Sequence, residues 1–330
     1  MESYIPPYTI SDRMLALVSS ISEKVGKITD HTSLEARPHL RKNNRIRSIH
    51  SSLRIEANSL SLHEVRDVID GRIILGDQKE IQEVKNAYSA YEKIDEIDPA
   101  SMEDLKKIHG IMTYRTVAES GAFRRGNEGV FSGEKCIFVC PPPQMVGALT
   151  QSLLSWVKEN EGKVHPLIMS AVFHYEFVFI HPFSDGNGRM ARLWHTVLLY
   201  RWKKIFAYIP LESQIEKYQD DYYNAIAKCH INGNSNVFIE FMLEMIDRIL
   251  DEVLLQIGRT DAQASVFVGR LLSCMEYDVP YTANEIMARL GIKSKETFRK
   301  NYLHPAMALD LVRMTLPEKP KSKNQKYIRQ

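Results

Sequence analysis

His181-Pro182-Phe183-Ser184-Asp185-Gly186-Asn187-Gly188-Arg189-Met190-Ala191-Arg192 is the stretch from which the rest of the chain can be read. Before it, from Pro166 to Ile180, runs an apolar segment broken by His174, Tyr175 and Glu176. After it, Met190 to Trp202 carries Leu193, Trp194, Val197, Leu198, Leu199 and Trp202 at helical spacing. The pattern predicts two helices joined by a glycine-rich turn. Gly186 and Gly188 let backbone N–H groups come close to a ligand, and the second helix aims its positive end at the same spot. Such a turn suits a phosphate group.

The residue types around the glycines add chemistry to that frame. His181 has an ordinary pKa of ~6.5 and can take up a proton at neutral pH. Asp185 is a hard oxygen ligand of the kind that holds magnesium shared with nucleotide phosphates. Gly186, Asn187 and Gly188 supply backbone donors for an anion. Arg189 and Arg192 stand three apart, so the opening turn of a helix sets them on one side, able to clamp separate phosphates. An Asp-Gly-Asn-Gly string by itself is a turn, but the flanking histidine and arginines go beyond that. The oxygen pattern of an EF-hand and the Gly-Lys-Ser/Thr of a Walker loop are both absent.

The twelve residues resemble the signature of Fic-domain proteins, His-Pro-Phe-x-Asp/Glu-Gly-Asn-Gly-Arg-x-x-Arg, and match it at every defined position. The resemblance implies a mainly α fold: a Fic helical bundle with a small β-hairpin flap, followed here by a small winged-helix (α+β) domain. It implies a nucleotidyltransferase that moves AMP from ATP to a hydroxyl of a protein side chain. His181 would deprotonate that hydroxyl. Asp185 would hold Mg2+, and Phe183, Ser184, Asp185, Gly186, Asn187, Gly188 and Arg189 would cradle the phosphates. Arg192 would grip the γ-phosphate.

Composition sets wider bounds. The 330 residues allow two or three domains and a sizeable core. A net charge of +2 is too small for a general polyanion binder, which leaves any nucleic-acid role local. No secretory leader is read at the start, and no apolar run is long enough to span a bilayer. Cys136, Cys140, Cys229 and Cys274 form no metal pattern; reduced thiols and a cytoplasmic location are expected.

Tyr4 to Tyr8 reads as an extended arm because of Pro6 and Pro7, and a helix is predicted over 11–29. Residues 41–58 begin basic, with Arg45 and Arg47, then continue Ser51-Ser52-Leu53-Arg54-Ile55-Glu56-Ala57-Asn58. Alone, this is an amphipathic helix with Leu53 inward. Fic proteins with an inhibitory helix carry Ser/Thr-x-x-x-Glu followed by Gly or Asn, and Ser52 stands four before Glu56. The resemblance thus implies that Glu56 pairs with Arg192 and competes with a phosphate for its guanidinium. The sequence departs from the pattern at Ala57, which favours helix where glycine would end it.

Helices are also predicted over 79–94, 101–112, 144–158, 218–230 and 235–257. Gly129-Val130-Phe131 and Lys135 to Val139 flank the turn pair Ser132-Gly133 and predict a hairpin. In the family reading its edge binds an extended stretch of the target. For the pair Tyr222 and Tyr223, which alone would read as core, the resemblance implies Tyr223 beside the nucleotide base, with Tyr222 second and His230 where the family often has asparagine.

After Ala262 come helices over 264–275 and 283–290. A basic segment follows from Lys293 to Leu303, bearing Lys295, Arg299 and Lys300, then a strand over 310–316. The tail carries Lys319, Lys321, Lys323, Lys326 and Arg329. This order describes a winged-helix module with a basic third helix and wing. The expected division is 1–110, an N-terminal helical region with the inhibitory helix at about 44–58; 111–257, the catalytic core with the flap at about 129–140; and 258–330, the winged-helix-like domain. Expected partners are a target protein along the flap, the chain itself, and DNA or protein at the C-terminal module; a homodimer is also in view. Two rival readings stand beside AMP transfer: movement of another group or removal of AMP, and a nucleotide-sensing DNA-binding regulator.

Overall fold

The computed structural model describes residues 4–30, 38–132, 135–262, 266–309, 311–320 and 322–329. Gly133 of the predicted turn, Ala264, Asp310 and Lys321 lie outside them. The chain divides into two compact units, Met1–Gly26 with Arg45–Leu250, and Lys27–Asn44 with Asp251–Gln330.

The first unit is built of helices. α1 (Asp12–Asp30), α2 (Pro38–Ile55), α3 (Leu62–Ile69), α4 (Gln78–Tyr91) and α5 (Met102–Met112) precede a hairpin of β1 (Gly129–Ser132) and β2 (Lys135–Val139). α6 (Pro143–Asn160), α7 (Pro166–Ile180), α8 (Asn187–Trp202), a 3-10 turn (Lys204–Tyr208), α9 (Leu211–Lys217), α10 (Gln219–Asn232) and α11 (Asn236–Ala262) follow, with the end of α1, the start of α2 and the end of α11 counted in the second unit. Local chemistry fixes several starts: Ser61, Asp77 and Ser101 accept bonds from the first-turn N–H groups of α3, α4 and α5. α7 opens on Pro166, whose missing donor costs nothing there.

α7 and α8 form the centre. Leu167 to Phe177 are all buried, so α7 has no solvent face and is packed on every side. Asn187 and the run from Arg189 to Leu199 in α8 are buried as well, and the Trp194 indole donates to the Pro99 carbonyl at 3.0 Å. The hairpin is antiparallel, pairing Gly129 with Val139 and Val130 with Phe138, and its register slips by one residue between Val130 and Phe131.

The second unit carries α12 (Val266–Cys274), β3 (Pro280–Tyr281), α13 (Ala283–Leu290) and α14 (Lys295–Thr297). A π turn (Phe298–Leu303), α15 (His304–Ala308), β4 (Val312–Met314) and β5 (Tyr327–Arg329) complete it. The strands order as β3-β5-β4, all antiparallel, over a core that includes Leu271, Ile286, Phe298 and Tyr302. Pro305 brings no N–H to the helical ladder, and the π turn just before it takes up the disruption, with His304 N–H reaching the Arg299 carbonyl. Arg329 does not face solvent; it is buried, donates to the Leu272 and Met275 carbonyls, and stacks 4.1 Å from the Tyr277 ring. Among the described residues no helix is long and apolar enough to cross a membrane.

Candidate active site

The loop between α7 and α8 gathers most of the residues singled out in the sequence. α7 ends at His181, whose backbone turns left-handed (φ 50°) while its N–H still donates to the Phe177 carbonyl at 3.0 Å. Proline at 182 disfavours helix at the preceding residue, and the left-handed turn is how the chain leaves α7. The His181 imidazole is half-buried. Burial pushes its pKa below the ordinary histidine value, and the Arg124 guanidinium acts the same way; the Val178 carbonyl, Glu56 and Asp185 pull upward. At neutral pH the ring is uncharged and able to accept a proton.

Below the loop lies a rigid floor. The Phe183 ring stacks on His109 with centroids 3.6 Å apart and planes 3° from parallel. The Asn187 side chain clasps Phe183 from both sides, accepting from its N–H at 3.0 Å and donating to its carbonyl at 2.8 Å. His109 Nδ1 accepts from the Gly121 N–H at 2.9 Å, so its proton sits on Nε2 and is donated to the Asp185 carbonyl, also at 2.9 Å. Burial holds the His109 imidazole down to about 4, which keeps this arrangement neutral. Gly186 has φ 81°, and a Cβ there would stand 2.9 Å from the Thr113 methyl group. The first helical bond of α8 runs from Met190 N–H to Gly186 carbonyl. The N–H groups of Asn187, Gly188 and Arg189 therefore precede the ladder and point outward.

Both arginines are held by carboxylates. Arg189 sits between Asp185 Oδ1 at 3.1 Å and Glu83 Oε1 at 3.4 Å. The Arg192 side chain is only 1% exposed. It donates through Nε to Ser52 Oγ at 3.0 Å, and through one Nη to the Ser52 carbonyl at 3.0 Å and Glu56 Oε1 at 2.7 Å. A Cβ on Gly188 would lie 2.3 Å from Glu56 Oε1. The carboxylate thus rests on bare backbone at the mouth of α8, where an anion would sit.

The segment that presents Glu56 ends α2 in a Schellman motif. Asn58 N–H donates to the Leu53 carbonyl at 3.1 Å, and Ala57 N–H to the Arg54 carbonyl at 3.0 Å. Ala57 occupies the left-handed position (φ 64°) that glycine favours, so alanine does not prolong the helix. Burial and hydrogen bonding of Asn58 explain why: its Nδ2 donates to the Glu80 carbonyl at 3.3 Å and to Glu83 Oε2 at 3.1 Å, and its Oδ1 accepts from Leu60 N–H at 3.2 Å.

Asp185 is half-exposed at the loop mouth. Among the described residues no group of three or more His, Cys, Asp or Glu could hold a metal ion. A lone exposed carboxylate such as Asp185 suits a hard ion whose other ligands are phosphate oxygens and water. Tyr222 is buried, bonded to His174 Nε2 at 2.9 Å, while Tyr223 packs edge-on against it and remains 47% exposed. His230 stacks on Phe138 of the hairpin at 3.9 Å and bonds the Tyr175 hydroxyl at 3.1 Å. A cavity of about 510 Å³ lined by Pro99, Leu198 and Trp202 lies at the far end of α8 and is separate from this constellation.

Three residues of the site escaped the sequence reading: His109, Glu83 and Arg124. Arg124 donates to the carbonyls of His181, Ile180, Gly126 and Pro141. A lone histidine in a helix, a glutamate on an amphipathic face and one of two adjacent arginines carried no signal that set them apart.

Residues 99–199 match the family described as Fic/DOC, and residues 267–328 match the C-terminal domain described as Filamentation induced by cAMP protein Fic-like. A crystal structure of a Fic family protein from Desulfovibrio desulfuricans G20 is 39% identical and superposes with a TM-score of 0.74, covering 99% of this chain and 98% of that one. Fic-1 of C. elegans shares the fold at 20% identity and a TM-score of 0.61, over 76% of this chain and 73% of its own. Protein adenylyltransferase Fic of Aedes aegypti is 30% identical over 216 residues, 62% of this chain and 41% of that protein. The Drosophila yakuba protein of the same name is 28% identical over 253 residues, 74% of this chain and 48% of its own length. The chain spans less than half the length of these curated relatives.

Proposed function

Because this chain belongs to the Fic family, we propose that it transfers AMP from ATP to a hydroxyl of a protein side chain and is restrained by Glu56. The observation that carries this is the neutral His181 imidazole beside the glycine-lined mouth of α8, with Glu56 resting on Gly188 in place of a phosphate. The relatives named protein adenylyltransferase support the same reading.

In this reaction His181 takes the proton of the target hydroxyl as its oxygen attacks the α-phosphorus. The bond from that phosphorus to the bridging oxygen breaks, and pyrophosphate leaves. The N–H groups of Asn187, Gly188 and Arg189 hold the phosphates, and the Arg189 and Arg192 guanidinium groups meet the charge that develops. Asp185 is the residue that would hold Mg2+, which neutralises phosphate charge when bound. The hairpin β1–β2 takes the target as an added strand, and Tyr223, exposed beside Tyr222, lies against the base. Glu56 withholds Arg192 from the γ-phosphate. We place the reaction in the cytoplasm, where ATP is abundant and unpaired thiols such as Cys229 and Cys274 persist.

The test is labelling of a lysate and of the protein itself with [α-32P]ATP and magnesium. Glu56→Gly is expected to label faster than wild type, and His181→Ala in that background to lose ~10²–10⁴-fold in rate while still binding ATP. Equal labelling by wild type and Glu56→Gly removes Glu56 from the mechanism; undiminished labelling by the His181 variant removes the base.

A second reading concerns the C-terminal unit, whose strand order and helices fit a winged-helix module. Lys293, Lys295, Arg299 and Lys300 are all exposed on and before the third helix. We propose that this face binds duplex DNA. Binding that weakens steeply with salt supports it, and absence of binding at low salt leaves a protein contact as its role.

A further inference from the structure

Arg124 lies ahead of the hairpin and is 3% exposed. Its Nε donates to the His181 carbonyl at 2.6 Å, one Nη to the Gly126 carbonyl at 2.8 Å, and the other Nη to Pro141 at 2.6 Å and Ile180 at 3.3 Å. Its own backbone N–H donates to the Pro182 carbonyl at 3.0 Å. Gly126 precedes β1 and Pro141 follows β2, so both feet of the hairpin are in its grip. Ile180 and His181 close α7, so the same guanidinium caps that helix, where the aligned peptide dipoles are negative. No carboxylate stands among these partners.

This grip meets a local strain. A left-handed backbone is unfavourable for a non-glycine residue, and such a conformation persists only where its surroundings over-determine it. His181 has φ 50°, and its carbonyl, the atom that must turn with that backbone, takes the short bond from Arg124. Arg124 is well suited to the task because its planar fork presents five fixed donors. A lysine ammonium carries three donors at one point and cannot span carbonyls on two different elements.

We propose that Arg124 is the positioning residue of this site: it holds His181 in its left-handed turn and ties the feet of the hairpin to the same point. A strand laid along the hairpin and the imidazole that deprotonates its hydroxyl then share one frame. The inference rests on the transfer reading above and adds a residue that the twelve-residue motif does not contain. The guanidinium charge also favours an uncharged His181 ring, although burial is the larger cause and Glu56 and Asp185 act the other way.

The test uses the full chain in the Glu56→Gly background, with Arg124→Lys and Arg124→Met. Self-labelling is followed with [α-32P]ATP at increasing ATP concentration. The maximal rate is expected to fall ~10–100-fold in both variants, the range a misplaced catalytic group produces, with lysine the milder change. Half-saturating ATP stays within about twofold, because Arg124 touches none of the groups proposed to hold phosphate. A general structural lesion would lower ATP affinity together with rate. Amide exchange gives a second readout: His181 N–H, bonded to Phe177, and Cys140 N–H, bonded to Glu128 at the hairpin foot, should lose protection together. An unchanged maximal rate in Arg124→Lys, or rate and ATP affinity lost in parallel, overturns the proposal. If Glu56→Gly does not label at all, the transfer reading falls, and unaltered protection at His181 and Cys140 then overturns this one separately. Should the methionine variant not fold, the lysine variant carries the same measurements.

Discussion

His181 and its neighbours show how burial sets protonation in the first unit. His109, His174 and His195 are all buried, and burial is the main cause that lowers each imidazole, His109 to about 4 and His195 to about 3. Unfolding frees each to take a proton once the pH drops below its ordinary 6.5, so their contribution to stability is lost on acidification. Glu176 has the opposite sign. Burial raises its carboxyl from 4.5 to about 7, and the folded chain keeps a proton that the unfolded chain releases, so stability is gained as pH falls through that window. Burial also lowers His50, His165, His181 and His230, so the imidazoles together outweigh the one carboxyl and unfolding takes up protons. Stability should therefore fall toward acid between ~pH 6 and ~pH 5. Urea midpoints at these two pH values check it; a midpoint that rises toward acid would reverse the sign.

At the scale of the element, the end of α2 holds itself in place against its own residue preference. Ala57 stands at the Schellman position with φ 64°, and the buried Asn58 holds the motif through Glu80 and Glu83. Ala57→Gly removes the Cβ penalty without touching a contact. It should stabilise the protein by about 1 kcal/mol, less the extra chain entropy glycine brings to the unfolded state. Because the relieved strain belongs to the segment that presents Glu56, basal self-labelling should fall in the same variant. A denaturation midpoint below wild type, or faster labelling, would show that the left-handed turn is not what limits this cap.

Taken as a whole, the chain separates its charges. Residues 266–329 hold 12 lysines and arginines against 6 aspartates and glutamates, so the remainder is net negative although the total is only +2. Six neutralised phosphates would make duplex binding fall with a log–log salt slope of about −5; this is the quantitative form of the DNA prediction. The same view shows what could be read without coordinates. The motif 181–192 was legible because its residues act within one turn, and α7, α8 and the hairpin were legible because their apolar spacing is local. His109, Glu83 and Arg124 were not, since they reach the loop from 57 to 106 residues away in sequence. His109 and Arg124 bond mainly to backbone carbonyls and an N–H, which every residue possesses. The partners of Arg329, the Tyr277 ring and the Leu272 and Met275 carbonyls, likewise come from residues distant in sequence.

If Glu56 restrains the site as proposed, its place on the bare backbone at Gly188 makes it a competitor that cannot be diluted. A tethered carboxylate acts at a fixed effective concentration, in the millimolar range for a short tether, so under the proposed function occupancy of the α8 mouth would be a contest set by ATP level rather than by protein level. Lowering the protein concentration would leave that contest untouched, and the resting state would persist in a single isolated molecule.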